Sequence, residues 1–212
     1  MALPASLGLA LAACDDGGAV EGDAGRDLAV EGDAYVCFSG GLPQGASEGG
    51  TVEIGTGDDV YSALQDEQVL PLILGGQCAY HFDIWPRIQG LNRGDLEVNA
   101  GPENPSTLMS VYDEEGVRLD STSCGFRVHY PEEVDGFYDL GHARLLRLSR
   151  TVGQRLDGER VRIVVEVLDP DGRYARDDVW IVAETTGEVD RCESRDAGAG
   201  PDAGVVADAG ES

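Results

Sequence analysis

The strongest constraint on the fold is a run of alternating apolar residues toward the C-terminal end of the chain. The stretch RVRIVVEVL directs Val161, Ile163, Val165 and Val167 to one face of an extended strand. The residues that follow, Asp-Pro-Asp-Gly at 169–172, have the chemistry of a tight turn. Alternation then resumes in the stretch VWIVAE, so the sequence predicts a β-hairpin whose apolar face is buried.

Shorter alternating runs recur through residues 34–192, and no amphipathic helix interrupts them convincingly. Short strands separated by Gly, Pro and Asp turns are typical of an all-β fold, and we expect an immunoglobulin-like antiparallel β-sandwich. Glu132-Glu133, after Pro131, is interpreted as a loop, and residues 141–150 are ambiguous. The other predicted strands are Tyr35–Phe38, Thr51–Ile54, Val69–Leu74, Ala79–Ile88, Leu96–Asn99, a hairpin over Leu108–Asp120 that turns at Glu115-Gly116, and Phe126–Tyr130.

Acidic segments of low complexity flank this predicted domain. The hexapeptide Ala-Val-Glu-Gly-Asp-Ala occurs at 19–24 and 29–34, and Asp-Ala-Gly recurs within 193–212. Small and acidic residues bury too little apolar area to offset chain entropy, so we expect a disordered tether over 14–33 and a disordered tail over 193–212.

The N-terminal segment ends in a distinctive cysteine. An apolar run leads to Leu11-Ala12-Ala13-Cys14, and two aspartates follow. These four residues resemble the lipobox of bacterial lipoproteins, although no basic residue precedes the apolar run. The resemblance implies that residues 1–13 are a signal peptide and that Cys14 is lipidated. The chain would then be exported and anchored in the cell envelope, at the outer membrane or the periplasmic face. The alternative is a small buried cysteine in an N-terminal strand.

Two further resemblances concern the domain itself. The segment VEVLDPDGRYARDDVWIVAE resembles the last hairpin of bacterial immunoglobulin-like and polycystic-kidney-disease-type repeats. Residues 52–82, VEIGTGDDVYSALQDEQVLPLILGGQCAYHF, resemble the opening of a domain in uncharacterised lipoproteins of myxobacteria and their relatives. Neither resemblance implies any catalytic residue.

Four cysteines besides Cys14 fall within the predicted domain. An even set in an exported protein predicts disulfides, for which three connectivities are possible. We expect Cys37 to pair with Cys192 and Cys78 with Cys124. The alternative is a metal cluster, although the chain lacks the closely spaced cysteines of a typical zinc site.

Charge limits the classes of partner. The chain carries 40 acidic residues against 15 basic ones, all arginine, for a net charge of −25. Such a charge repels phosphate backbones, so we expect no nucleic-acid partner and a membrane contact only through the lipid on Cys14. No cofactor is predicted. Calcium is the single candidate, with Asp169, Asp171, Asp177 and Asp178 as its possible oxygen ligands.

No motif in the sequence indicates catalysis. His81, His129 and His142 are scattered, and Trp85 and Trp180 fall within strands, where packing is the expected role. The sequence therefore favours a non-enzymatic structural or ligand-binding module whose protein or carbohydrate ligand is unknown. One alternative is a calcium-stabilised adhesion or carbohydrate-binding domain. Another is a hydrolase whose site is built from dispersed acids and histidines.

Overall fold

The computed structural model describes residues 35–36, 42–75, 78–98, 100–120 and 124–186, all of which belong to one compact unit. The predicted segments 1–13, 14–33 and 193–212 lie outside these ranges. In chain order the described elements are β1 (Tyr35–Val36), β2 (Ser47–Glu48), β3 (Thr51–Thr56), β4 (Ser62–Ala63), β5 (Gln68–Leu74), β6 (Tyr80–Gln89), β7 (Ser106–Tyr112), β8 (Gly125–Arg127), β9 (Glu132–Val134), β10 (Phe137–Asp139), β11 (Arg144–Leu148), α1 (Arg150–Gly153), β12 (Arg160–Leu168) and β13 (Arg173–Thr186).

The strands form one curled, mixed sheet, which confirms the all-β prediction. The main path through the sheet is β1-β8-β7-β12-β13-β5-β6-β10-β9, and β6 also pairs with β3 and β11. The prediction of a purely antiparallel arrangement is wrong at two pairings, because β13 runs parallel to both β2 and β5. Alternation in a sequence specifies which residues share a face, but not the direction of the neighbouring strand.

The β12–β13 hairpin is the most extensive pairing in the sheet, and it confirms the strongest sequence prediction. All nine residues of β12 pair with β13, from Arg160 opposite Val182 to Leu168 opposite Tyr174. The four alternating residues Val161, Ile163, Val165 and Val167 are fully buried in the main core. At the turn, the N–H of Gly172 donates to the C=O of Asp169 at 3.0 Å.

The opposite face of β12 is buried as well, which the alternating pattern did not predict. Val164 and Glu166 are each only 1% exposed. The Tyr174 hydroxyl donates to the Glu166 carboxylate at 2.5 Å, which gives this buried acid a strong hydrogen-bond partner. Nearby, Leu108 and Tyr174 form a second, smaller apolar cluster. The central strands are therefore covered on both sides.

Strand β6 passes through proline without leaving the sheet. The pattern of buried and exposed residues along β6 shifts at Trp85 and Pro86, which are both buried. Pro86 lies opposite Ile54 of β3, and the C=O of Ile54 accepts a hydrogen bond on its other side, from the N–H of Leu64. Pro86 therefore occupies a position where a strand needs no N–H donor.

Several sequence predictions differ from the structure, and the predicted strand Phe126–Tyr130 is observed as the shorter β8, Gly125–Arg127. Residues 96–98, in the predicted strand Leu96–Asn99, form a turn and no strand, and residue 99 is outside the described ranges. The chain turns at Glu115-Gly116 as predicted, but its return is limited to isolated bridges such as Tyr112 with Arg118. Glu132-Glu133 belongs to strand β9 of a hairpin, whose turn holds Asp135 and Gly136 at positive φ. The Asp-Gly pair is a hairpin signal that the sequence analysis missed.

The ambiguous segment 141–150 becomes strand β11 and the start of helix α1. Four residues long, α1 is the one helix in the described ranges, and no helix there is long and apolar enough to cross a membrane. Ser149 caps it by accepting a hydrogen bond from the N–H of Val152 at 3.3 Å. Its last residue, Gly153, is buried against the ring of Tyr80.

We predict that Gly153→Ala lowers the free energy of unfolding by about 1–3 kcal/mol, the usual cost of overpacking. A Cβ at this position would overlap the Tyr80 ring, which is itself 2% exposed and has little room to move. Urea denaturation of the two proteins measures the difference. Thr151→Ala, at an exposed position of the same helix, is the control. Equal stability of Gly153→Ala and the control would contradict the packing described here.

Candidate functional site

Most of the cysteines predicted to carry lipid or disulfides lie beyond the described residues. This applies to Cys14, Cys37 and Cys192. Of the two that are described, Cys78 lies in the turn before β6 with a φ of 61°, and Cys124 directly precedes β8. The lipidation of Cys14 and the two disulfides therefore remain predictions.

The four aspartates proposed as calcium ligands do not form one cluster. Asp169 and Asp171 belong to the β12–β13 turn, where both carboxylates bind the guanidinium of Arg173. Asp177 and Asp178 are successive strand residues, so their side chains point to opposite faces of β13. Within the ranges that the structure describes, no group of three or more His, Cys, Asp or Glu side chains could hold a metal ion.

Asp169 instead has a structural role at the turn. Its side chain is fully buried, and its oxygens accept hydrogen bonds from the Nε and the backbone N–H of Arg173, at 2.9 and 2.8 Å. The backbone N–H groups of Asn92 and Asp171 also donate to it, at 2.8 and 3.0 Å. Its lone pairs are thus committed to the protein, and the turn is fastened to the loop after β6.

The histidines lie on separate elements. The Nε2 of His81 is 3.7 Å from the Asp83 carboxylate, beyond hydrogen-bonding distance, and His129 Nδ1 lies 3.3 Å from the C=O of Val98. His142 is exposed before β11. Across the described part of the chain, no hydrogen bond joins a histidine to a serine or threonine hydroxyl.

The two tryptophans are engaged by neighbouring side chains. Trp85 is 4% exposed and meets Tyr61 edge to face, with ring centroids 6.1 Å apart. Trp180 is partly exposed, and the guanidinium of Arg160 lies over its ring, 4.1 Å from the centroid. Both tryptophans therefore have packing contacts, as expected from the sequence.

Among the residues that the structure describes, a cleft beside β13 is our candidate binding site. It has a volume of about 570 Å³, within the size range of small-molecule sites. One wall consists of residues 48–52 and the other of residues 174–177, with Leu42 at the edge. The lining combines apolar surface from Val52, Tyr174 and Ala175 with charged and polar groups.

The cleft exists because the chain leaves β13 at a glycine pair. Strand β2 runs parallel to the start of β13, and the N–H of Gly49 still donates to the C=O of Tyr174 at 3.0 Å. Gly50 has a φ of 70°, and a Cβ there would lie 2.6 Å from the C=O of Gln89. The chain therefore turns sharply at Gly50, pairs with β6 as β3, and leaves a wedge open between β3 and β13.

The wall formed by β13 includes backbone groups without a strand partner. On the edge opposite β12, the C=O of Tyr174 bonds to Gly49, and Trp180 bonds through both its N–H and its C=O. Backbone groups alternate between the two edges of a strand, so the N–H and C=O of Arg176 and the C=O of Asp178 point to this same edge. No described strand pairs with β13 there, between β2 and β5.

Asp177 is a half-buried carboxyl without a nearby cation. Burial raises its pKa, and the negative charges of Asp178 and Glu53 add to this effect. Hydrogen bonds from the backbone N–H groups of Asp178 and Ile54 act in the opposite direction. No basic side chain contributes, so the cleft contains a negative charge that the protein does not balance locally.

The nearest arginines are already engaged. The guanidinium of Arg87 lies between the rings of Tyr61 and Phe137, 4.1 and 4.3 Å from their centroids, and it pairs with Glu53 at 2.7 Å. Arg176, which lines the cleft, lies 3.8 Å from Asp178 on its own face of β13. Arg87 thus offsets Glu53, and Arg176 faces Asp178, while Asp177 lacks such a contact.

Sequence reasoning found part of this site. It singled out Asp177, but as a calcium ligand. The wall residues of β2 and β3 were missed, although Gly49-Gly50 before a short strand is a signal for a sharp backbone turn.

No protein-family model, curated protein or solved structure matches this chain. The site is therefore interpreted from its own geometry.

We predict that Asp177→Asn raises the melting temperature at pH 7 by about 2 °C, a small effect because solvent screens a half-exposed charge. A carboxyl whose pKa is raised by folding stabilises the folded state below its unfolded pKa, and that contribution is lost as pH rises through the folded pKa. The gain should therefore shrink as the pH falls toward 4, which thermal unfolding across this range measures.

Asp178→Asn is the matched control, since Asp178 is exposed on the other face of the strand. Its melting temperature at pH 7 should change less than that of Asp177→Asn, because this substitution removes only the repulsion that Asp178 exerts on Asp177. A loss of stability in Asp177→Asn at pH 7 would contradict the unbalanced charge inferred for Asp177.

Proposed function

We propose that this protein is an exported lipoprotein, anchored through Cys14, whose β domain is a non-enzymatic binding module. The observation that carries the binding function is the cleft beside β13. There, backbone groups of Arg176 and Asp178 have no strand partner, and the carboxylate of Asp177 has no cation beside it. Polar groups that converge in a concave, partly apolar site are the usual signature of ligand recognition.

The anchoring proposal is supported by the sequence Leu11-Ala12-Ala13-Cys14 and the acidic segment after it. Two or three acyl chains hold a protein on a bilayer stably, whereas a single chain gives only marginal binding. The acidic segment between the anchor and the domain would act as a hydrated spacer.

We predict that the protein, produced in a bacterial host, incorporates labelled palmitate and that Cys14→Ser abolishes the incorporation. Labelling in growing cells, followed by gel autoradiography, measures this. Asp15→Asn, which alters the neighbouring residue but keeps the thiol, should label like the unaltered chain. Equal labelling of Cys14→Ser would place the lipid elsewhere, and no labelling of any form would reject the anchor.

We also propose that the four cysteines of the domain form two disulfides, as an oxidising compartment would permit. The antiparallel register of β1 on β8 sets Val36 opposite Gly125. Continued by one residue, that register supports a pairing of Cys37 with Cys124.

This choice differs from the pairs inferred from sequence spacing, and it assigns Cys78 to Cys192. The direction of two strands supports the second pair. Strands β5 and β13 run parallel, so their last residues, Leu74 and Thr186, lie at the same end of the sheet. Cys78 and Cys192 are the cysteines that follow these two strands.

We predict that a non-reducing digest of the exported protein yields one linked peptide pair that contains Cys37 and Cys124, and a second that contains Cys78 and Cys192. Mass spectrometry before and after reduction identifies both pairs. A Cys37–Cys192 link would restore the pairing inferred from the sequence, and four alkylated thiols would remove the support for export.

We propose that this β domain belongs to the class of immunoglobulin-like sandwiches. Its support is the long β12–β13 hairpin, with one apolar face in the main core and an Asp-Pro-Asp-Gly turn. The parallel pairs of β13 with β2 and β5 would make it a mixed variant of that class.

A further inference from the structure

We propose that the cleft beside β13 binds an extended, basic segment of a partner protein, which adds a short antiparallel strand to the free edge of β13. This inference rests on the proposed binding function and names the chemistry of the ligand. Addition of a strand to an exposed sheet edge is a common mode of peptide recognition, in which the main chain supplies affinity and alternate side chains supply specificity.

The free edge sets the length of the added strand. Gly49 occupies the edge at Tyr174, and Glu67 occupies it at Trp180. Tyr174 and Trp180 are six residues apart along the strand, a distance of about 20 Å. A segment of about three to five residues therefore fits, with its hydrogen bonds directed to Arg176 and Asp178.

The same geometry fixes which residues of the segment bond to β13. The backbone groups of Asp177 point toward β12, so in an antiparallel segment the residue opposite Asp177 directs its own N–H and C=O away from β13. The residues before and after it face Arg176 and Asp178 and form the hydrogen bonds. The central residue of the segment therefore contacts the Asp177 carboxylate with its side chain, and its two neighbours form the backbone hydrogen bonds to β13.

The charge of the cleft selects a cation for that central residue. Directly opposed residues in a sheet have Cβ atoms about 4.5–5.5 Å apart on one face, so a lysine or arginine opposite Asp177 reaches its carboxylate. Glu48 adds an exposed acid to the same cleft. The net charge of −25 also attracts a basic segment from a distance.

Apolar groups in the lining favour side chains of small to medium size, such as valine and threonine, at the positions beside the central residue. The apolar surface of the cleft comes from Leu42, which is half-exposed, and from the small exposed parts of Val52, Tyr174 and Ala175. A segment of alternating threonine and valine with a central lysine satisfies the charge, the strand propensity and the lining together.

The experiment uses the full chain with Cys14→Ser and a blocked pentapeptide, Thr-Val-Lys-Val-Thr. Isothermal titration gives the dissociation constant, and amide NMR shifts at residues 48–52 and 174–178 locate the site. We expect the lysine peptide to bind about tenfold more tightly than its glutamate counterpart. Asp177→Asn should remove most of that difference while the fold stays at least as stable, and Asp178→Asn should retain it.

Methylated peptides test the strand itself. Methylation of the two valine N–H groups should abolish binding, because these groups face β13, whereas methylation of the lysine N–H should leave it largely intact. The opposite pattern, or equal binding of the lysine and glutamate peptides, overturns the proposal. So does the absence of shifts at both sets of residues at millimolar peptide.

A single lysine residue, blocked at both ends, distinguishes strand addition from the binding of a cation alone. If this single residue binds as tightly as the pentapeptide and shifts the same amides, strand addition is wrong and the cleft remains a binding site for cations. Palmitate labelling tests the anchor independently of all these results.

Discussion

The pairing of β12 with β13 is the interaction on which the rest of the structure depends. Nine residues of β12 cover one edge of β13, but β13 has fourteen residues, and its other edge must find separate neighbours. β2 takes the first part of that edge and β5 takes the last. Because neither reaches the middle, the candidate cleft follows from a mismatch in strand length and from the glycines that turn the chain away.

The second feature of the structure is the pairing of its few arginines with carboxylates. The arginines that the structure describes beside acids pair with one or two carboxylates, as Arg87 does with Glu53 and Arg173 with Asp169 and Asp171. With far more acids than arginines in the chain, some carboxylates have no cation beside them. Most such acids are solvated at little cost, but Asp177 is half-buried, so its charge remains available to a ligand.

The sequence predicted the elements whose pattern is local. The alternation over Val161–Val167, the turn at Asp169 and the long strand around Phe82 all follow from residue spacing and turn chemistry. It could not predict the parallel neighbours of β13, since alternation carries no information about direction or partner. The two walls of the cleft lie far apart in the chain, so the sequence could not show that they are neighbours. The unbalanced charge on Asp177 depends on which carboxylates the nearby arginines pair with, and this too requires the folded structure.

The parallel neighbours of β13 also bear on how the domain can be assembled. β5 and β13 lie about a hundred residues apart along the chain, so their contact requires the closure of a very long loop. The hairpin of β12 and β13 is local and can form early, but β13 is also the last described strand to be synthesised. The sheet cannot be completed until β13 has been synthesised, so a chain that stops before Arg173 leaves β5 and β12 each without the strand that pairs with them.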